Sequence, residues 1–170
     1  MNSLRSTLPS GSSIQIPAII RGLIEAGERR VSHTIGHTNH ANPDLFLLTL
    51  RQLARNNPRM LDFVLQAGLI VDIGAGYSIP DEGIFSEYPI ATYVAVDLCY
   101  TQLETAQIGP TRVIKKPGDF FSVLEGVPDR SIPCIYAGFL DDYILNREQA
   151  RFAELIERKI SPDGIFLYQT

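Results

Sequence analysis

The sequence of 170 residues predicts an α/β fold, a doubly wound and mostly parallel sheet with an N-terminal helical cap. Three observations carry this reading. From residue 69 onward, short apolar runs alternate with helical patterns, which implies parallel strands joined by right-handed crossovers. The expected strands are apolar on both faces, as strands between two helical layers are. The first of them, in LIVDIGAGYS (69–78), stops on Asp72, Gly74 and Gly76, at the end of a strand where a doubly wound sheet places its ligands.

Residues 1–13, MNSLRSTLPSGSS, have no apolar period and read as a disordered terminus. Residues 14–67 read as the helical cap. Ile16, Ile19, Ile20, Leu23 and Ile24 fall on one helical face, and Gly27 with Glu28-Arg29-Arg30 marks its end. A polar stretch, SHTIGHTNHAN, follows. Asn42 can then cap a second helix with Pro43 at its first position and Asp44 in its first turn, and Leu45, Leu48 and Leu53 facing a core. A third helix starts the same way at Asn57-Pro58 and runs through Leu61, Val64 and Leu65 to Gly68.

Residues 68–170 read as the core, in one globular unit with the cap. Strands are expected at 69–73, 92–98, 111–115, 132–137 and 164–169. Helices are expected between them at 79–87, capped by Ser78, and at 100–107, 120–125 and 147–160. The last has the clearest stripe, with Phe152, Leu155, Ile156 and Ile160 on one face.

Hydrophobic residues make up 45% and charged residues 20%, the balance of a soluble globular chain. The net charge of −4 removes the basic surface that marks nucleic-acid binding. No run approaches the ~18 apolar residues of a membrane span. Cys99 and Cys134 lie in segments expected to be buried, which reads as two reduced thiols and a cytoplasmic protein.

A glycine lets backbone approach a ligand and lets the chain turn sharply. Asp97 ends the second strand 21 positions after Gly76, placed to accept from both hydroxyls of a ribose. Two nucleotide ligands compete for such a site. The dinucleotide pattern G-x-G-x-x-G lacks its third glycine here, because Ile79 holds that position. Asp72 also sits badly beside an anionic pyrophosphate. S-adenosylmethionine carries a sulfonium and an ammonium and no phosphate, so a carboxylate near the turn attracts it.

The order VDIGAGYS, VAVDL, PGDFF, IPCIYAGFL and SPDGIFLY resembles the motifs of class I S-adenosylmethionine-dependent methyltransferases, which have a Rossmann-like fold. The resemblance spans roughly residues 60–170. It implies S-adenosylmethionine as cofactor, held by Asp72, Gly74, Ala75 and Gly76 at the first turn and by Asp97 and Leu98 at the ribose. It further implies that Asp119 accepts from the adenine amino group and that Phe120 flanks the ring. Ser78 stands where a third glycine is common. The family's sheet continues past the fifth strand, whereas this sequence ends at Thr170. That leaves an open apolar edge: either the sequence is a fragment, or a second copy or a partner chain covers the edge, or the protein is a reduced member of the family.

Three function readings follow. The first is methyl transfer to a small-molecule or protein acceptor. The second is a non-catalytic module that pairs with a partner through its fifth strand. The third is a NAD-dependent oxidoreductase. Methyl transfer needs alignment more than a base. Asp141, Asp142 and Tyr143, after the fourth strand, are candidates to hold an acceptor, and equally a helix-starting acid pair. His33, His37 and His40 have zinc-like spacing, but Gly36 and the flanking threonines favour a loop, either solvated or covering the active site, so no metal is expected.

Overall fold

Among the described residues six strands form one sheet in the order β3-β4-β2-β1-β5-β6. They are β1 (Leu69–Ile73), β2 (Thr92–Asp97), β3 (Glu104–Ile108), β4 (Thr111–Pro117), β5 (Ile132–Gly138) and β6 (Ile160–Gln169). The computed structural model describes residues 16–26, 43–138, 144 and 146–169. Every strand pair is parallel except β3 with β4. The chain builds outward from β1 through β2 to β4, then returns to the other side of β1 for β5 and β6. The winding therefore reverses between β1 and β5, which opens a crevice beyond their carboxyl ends. This is the α/β layout expected from the sequence.

The helices are α1 (Ile16–Glu25), α2 (Pro43–Asn56), α3 (Pro58–Gln66), α4 (Glu82–Glu87), α5 (Phe120–Glu125) and α6 (Gln149–Lys159). Strand alternation divides the core between them. Leu69, Val71, Ile73, Val94 and Val96 face α1, α5 and α6. Ile70, Tyr93 and Ala95 face α2, α3 and α4. Each large apolar side chain fully buried in these layers contributes about 1.5–3 kcal/mol. The central strands are buried on both faces, as their composition predicts.

The N-terminal helices do not form one cap. α1 lies on the opposite face from α2 and α3. Two contacts fix it there. Lys116, 4% exposed, donates to the carbonyls of Ile24 and Ala26 at 3.1 and 2.8 Å, meeting carbonyls that the end of α1 leaves unpaired. Gly126, at the end of α5, brings its backbone against Ala26 and Gly22; a Cβ there would meet Ala26 Cβ at 2.6 Å. The first link depends on a residue 90 positions away, so no local pattern announced which face α1 would take.

Leu48, expected to face a core, is instead exposed on α2, and three other expectations are corrected. Residues 100–107 are not a helix: 104–108 form β3, an antiparallel edge strand whose register runs from Glu104↔Lys115 to Ile108↔Thr111. Tyr100, Leu103 and Ala106 give no four-residue partner for an apolar face, and Gly109-Pro110 makes the two-residue turn that folds β3 back on β4. The helix expected at 79–87 begins at Glu82. Pro80 bars helical backbone at Ile79, so Asp81, not Ser78, is its cap and accepts from Ile84 N at 2.9 Å. The last strand, expected at 164–169, begins at Ile160, and Ser161-Pro162-Asp163-Gly164 lies inside β6 as a bulge, since Ile132 pairs with Ile160 and Cys134 with Ile165. The Asn57 cap is observed, accepting from Met60 N at 3.2 Å. Residues 1–13, the helix end at Gly27 to Arg30, the polar stretch 32–42 and the cap at Asn42 lie outside the described residues.

Candidate functional site

The turn after β1 shows what its glycines provide. Gly74 and Gly76 have φ of 74° and 66°, the left-handed region that side chains with a Cβ avoid. That conformation turns all three backbone N–H groups inward. Gly74 N and Ala75 N donate to Val96 O at 2.9 and 3.2 Å, and Gly76 N donates to Asp97 Oδ2 at 2.8 Å. The turn is thus stitched to the end of β2, and its amides are committed within the protein.

Asp97 is half-buried. Its second oxygen, Oδ1, accepts from Cys99 N at 2.8 Å. Each carboxylate oxygen therefore holds one backbone donor and keeps a further lone pair. Leu98, next in the chain, is exposed, as is Tyr77 after the glycine turn. The two follow directly on the residues joined by the Gly76–Asp97 bond, an apolar pair at the carboxyl rim.

Asp72 lies behind that turn. It is 6% exposed and its carboxylate accepts from the hydroxyl of Tyr93, itself fully buried. Burial pushes the Asp72 carboxyl up to about 7; the Tyr93 bond opposes this and the nearby Asp97 charge adds to it. The Tyr93 hydroxyl is pushed well above its ordinary value, by burial first and by Asp72 second. Tyr136 pairs with Asp72 in register across β1 and β5, so it lies on the same face. Its hydroxyl is likewise raised, chiefly by burial, which the neighbouring Thr49 hydroxyl opposes; among the described residues no hydrogen bond of normal geometry reaches it.

A cleft opens here, lined by Asp72, Gly74, Ala75, Tyr93, Tyr136 and the first turn of α2 at Phe46. It has room for about one water-sized group. Phe46 packs edge-on against Tyr93 and Tyr136, with ring centroids 5.4 and 5.0 Å apart. The structure thus brings Asp72, Gly74 and Ala75 together, with Gly76 and Asp97 bonded at the rim.

Asp119 and Phe120 are placed differently. Asp119 caps α5: it accepts from Phe121 N at 3.0 Å, Ser122 N at 3.3 Å and Ser122 Oγ at 2.5 Å. Phe120 stacks on Phe121 and meets Phe152 edge-on, in the layer of α5 and α6. Neither lines the cleft. Their turn touches the rim through backbone, since Gly118 N donates to Asp97 O at 3.1 Å.

Asp141, Asp142 and Tyr143 lie outside the described residues, as do His33, His37 and His40. Among the described residues no group of His, Cys, Asp and Glu is arranged to hold a metal. Both thiols are unpaired and pushed up to about 12, by burial first. No helix among the described residues is long and apolar enough to cross a membrane.

Sequence reasoning missed Tyr93, Tyr136 and Phe46. A signal for the two tyrosines was present: each carries a hydroxyl into a strand otherwise apolar on both faces, and such a hydroxyl needs a partner. Phe46 carried none, because nothing local distinguishes it from its apolar neighbours on α2. No family model matches this chain, and no curated protein or solved structure shows significant similarity to it.

Proposed function

We propose that the chain binds S-adenosylmethionine at the carboxyl ends of β1 and β2 and serves methyl transfer to a small-molecule or protein acceptor. The carrying observation is Asp72, a buried carboxylate with a single hydroxyl donor, facing a cleft. Such a group is stabilised in its ionised form by a cation and destabilised by an anion. The Gly74–Gly76 amides, which would cradle a pyrophosphate, are committed to Val96 and Asp97, and this favours a phosphate-free ligand over a dinucleotide.

The fit is partial and specific. The cleft admits a group the size of an ammonium, so the nucleoside belongs outside it, along the rim at Tyr77 and Leu98, within reach of the free lone pairs of Asp97. When bound, the cofactor supplies a methyl carbon already activated by the sulfonium; the chain's own residues orient it. Asp72 holds positive charge, and Asp97 fixes the turn after β1 against the turn after β2.

Calorimetry of the full chain with S-adenosylhomocysteine and, separately, NAD tests this. Binding of the first alone is expected. Asp72→Asn should weaken it about 10- to 100-fold, the range for losing a charge-assisted hydrogen bond. Tight binding of NAD alone would sink the proposal. A second reading, a non-catalytic module that pairs through β6, draws support from the small cleft and from the position of β6 at the sheet edge. Silence with both ligands favours that reading.

A further inference from the structure

Among the described residues nothing pairs with the outer side of β6, an edge of the sheet. Its last stretch, Gly164 to Gln169 (GIFLYQ), carries no charge. Phe166 and Tyr168 stand on the α6 face, in register with Ile135 and Ala137, and Leu167 stands on the α2 face, in register with Tyr136. Phe166 and Tyr168 end a continuous row of rings. Phe121 stacks on Phe120 with centroids 4.5 Å apart, Phe120 meets Phe152 at 5.6 Å, Phe152 meets Phe166 at 6.0 Å and Phe166 meets Tyr168 at 5.5 Å. The row thus runs from the α5–α6 layer out to the edge, where Tyr168 is 42% exposed. On the α2 face the exposed Leu48 adjoins Thr49, whose hydroxyl donates to Gln169 Oε1 at 3.2 Å. The end of β6 is therefore flanked by exposed apolar surface on both faces of the sheet.

We propose that β6 pairs with β6 of a second copy of this chain, antiparallel about a two-fold axis through Leu167, so that two six-stranded sheets join into one of twelve. Such an axis stands perpendicular to the sheet and closes the assembly at two copies. It sets Phe166 against the partner's Tyr168, and Ile165 against the partner's Gln169. Cross-strand aromatic pairs of this kind stabilise a ladder, and the row of rings in one copy runs on into that of the other. Charge selects the same occupant. Each copy carries a net charge of −4, yet no charged side chain stands between Gly164 and Gln169 on either strand. Two copies therefore meet there with no like charges opposed, and nothing on the edge attracts a charged foreign strand. Area points the same way. A short ladder alone falls below the roughly 800 Å² a side of a stable complex, and Tyr168 on one face with Leu48 on the other extends it.

This pairing rests on the second reading above, a module that acts through β6, and names its partner. It places the axis near the carboxyl end of β6, two strands or about 10 Å from β1, so that each cleft lies close to the joint. The full chain is followed by sedimentation equilibrium over a range of concentrations, at low and at high salt. A monomer–dimer equilibrium is expected, no weaker at high salt, because no charge pair crosses the joint. Tyr168→Lys should weaken it at least about tenfold, and Thr105→Lys on β3 should leave it unchanged. A dimer that salt dissociates, or that Tyr168→Lys leaves intact, overturns the proposal.

Three single variants, Phe166→Cys, Leu167→Cys and Tyr168→Cys, read the register under mild oxidation, with the parent chain as control for Cys99 and Cys134. Two residues on the axis face each other at about 5 Å between Cα atoms, within the span of a disulfide. Leu167→Cys alone should yield a cross-linked dimer, its link located by mass spectrometry. A link at 166 or 168 in its place, or at none of the three, sinks the register and the proposal with it. Should Leu167→Cys not fold, hydrogen exchange in the unaltered chain decides. Amides of 165–169 should exchange faster on dilution while those of β3 do not, and equal rates at every concentration overturn the pairing. A monomeric chain that captures a foreign strand at β6, with capture lost in Tyr168→Lys, rejects the second copy and leaves the second reading standing. A monomer that takes no partner rejects both.

Discussion

Asp72 is the residue at which stability and function pull apart. Its carboxyl rises from 3.8 to about 7 on folding, with burial the largest cause. The sign of the linkage follows. Below pH 3.8 both folded and unfolded chains carry the proton, and the group contributes nothing. Between 3.8 and about 7 the unfolded chain ionises while the folded one keeps its proton, so stability falls as pH rises. Above 7 the loss is complete, roughly 4 kcal/mol. Asp72→Asn should therefore stabilise the protein at pH 8. It should also remove about 2 kcal/mol of decline between pH 5.5 and pH 8, read from urea unfolding at the two pH values. An Asn variant that declines as steeply as the parent would show that Asp72 is not the group responsible. At this scale the sequence was legible where a residue's neighbours lie along the chain: the acid of the glycine turn was found from its spacing. It was not legible where the partner came from another strand, and so Tyr93 and Tyr136 escaped notice.

At the scale of elements, the helices reveal which expectations were local. α3 starts where Asn57 and Pro58 say it should, because a cap acts over three residues. α5 starts at Asp119 for the same reason, and that local duty uses a carboxylate which the family resemblance assigns to adenine. β3 escaped because a helix and a hairpin were both open to residues 100–108, and only pairing with β4 decided between them. The seating of α1 on α5 rests on Gly126, whose backbone meets Ala26 and Gly22 with no space for a side chain. Gly126→Ala should push the two helices apart and cost about 1–3 kcal/mol, the range for overpacking a filled core. The check is the urea midpoint at constant slope. Since the contact lies on the face away from the cleft, binding of S-adenosylhomocysteine should be unaffected by it.

The whole molecule is a sheet with two different edges. β3 presents Glu104, Thr105 and Gln107 outward, polar side chains that discourage another strand from adding. β6 is blunted at its start by the Pro162 bulge, but its end, from Ile165 to Gln169, carries Phe166, Leu167 and a Tyr168 that is 42% exposed. Association is therefore expected at β6 and not at β3. Sedimentation over a range of concentrations should reveal self-association or, with a partner present, a complex. Tyr168→Lys should reduce it, and Thr105→Lys on β3 should not. A chain that stays monomeric and captures no partner at any concentration removes the pairing reading.

By itself the sequence determined the alternation of strands and helices, the buried character of the central strands, the helix starts that depend on caps, and the turn at Asp72, Gly74 and Gly76. All of these are written in periodicities and side chains within a few residues of one another. Tertiary structure alone decided the face on which α1 packs, the conversion of 104–108 to an edge strand, and the neighbours that turn Asp72 into a proton-holding group. The first and last of those outcomes depend on contacts between residues 21 to 92 positions apart, and the second on pairing across the hairpin with β4, where burial, register and desolvation act rather than the periodicity of a single segment.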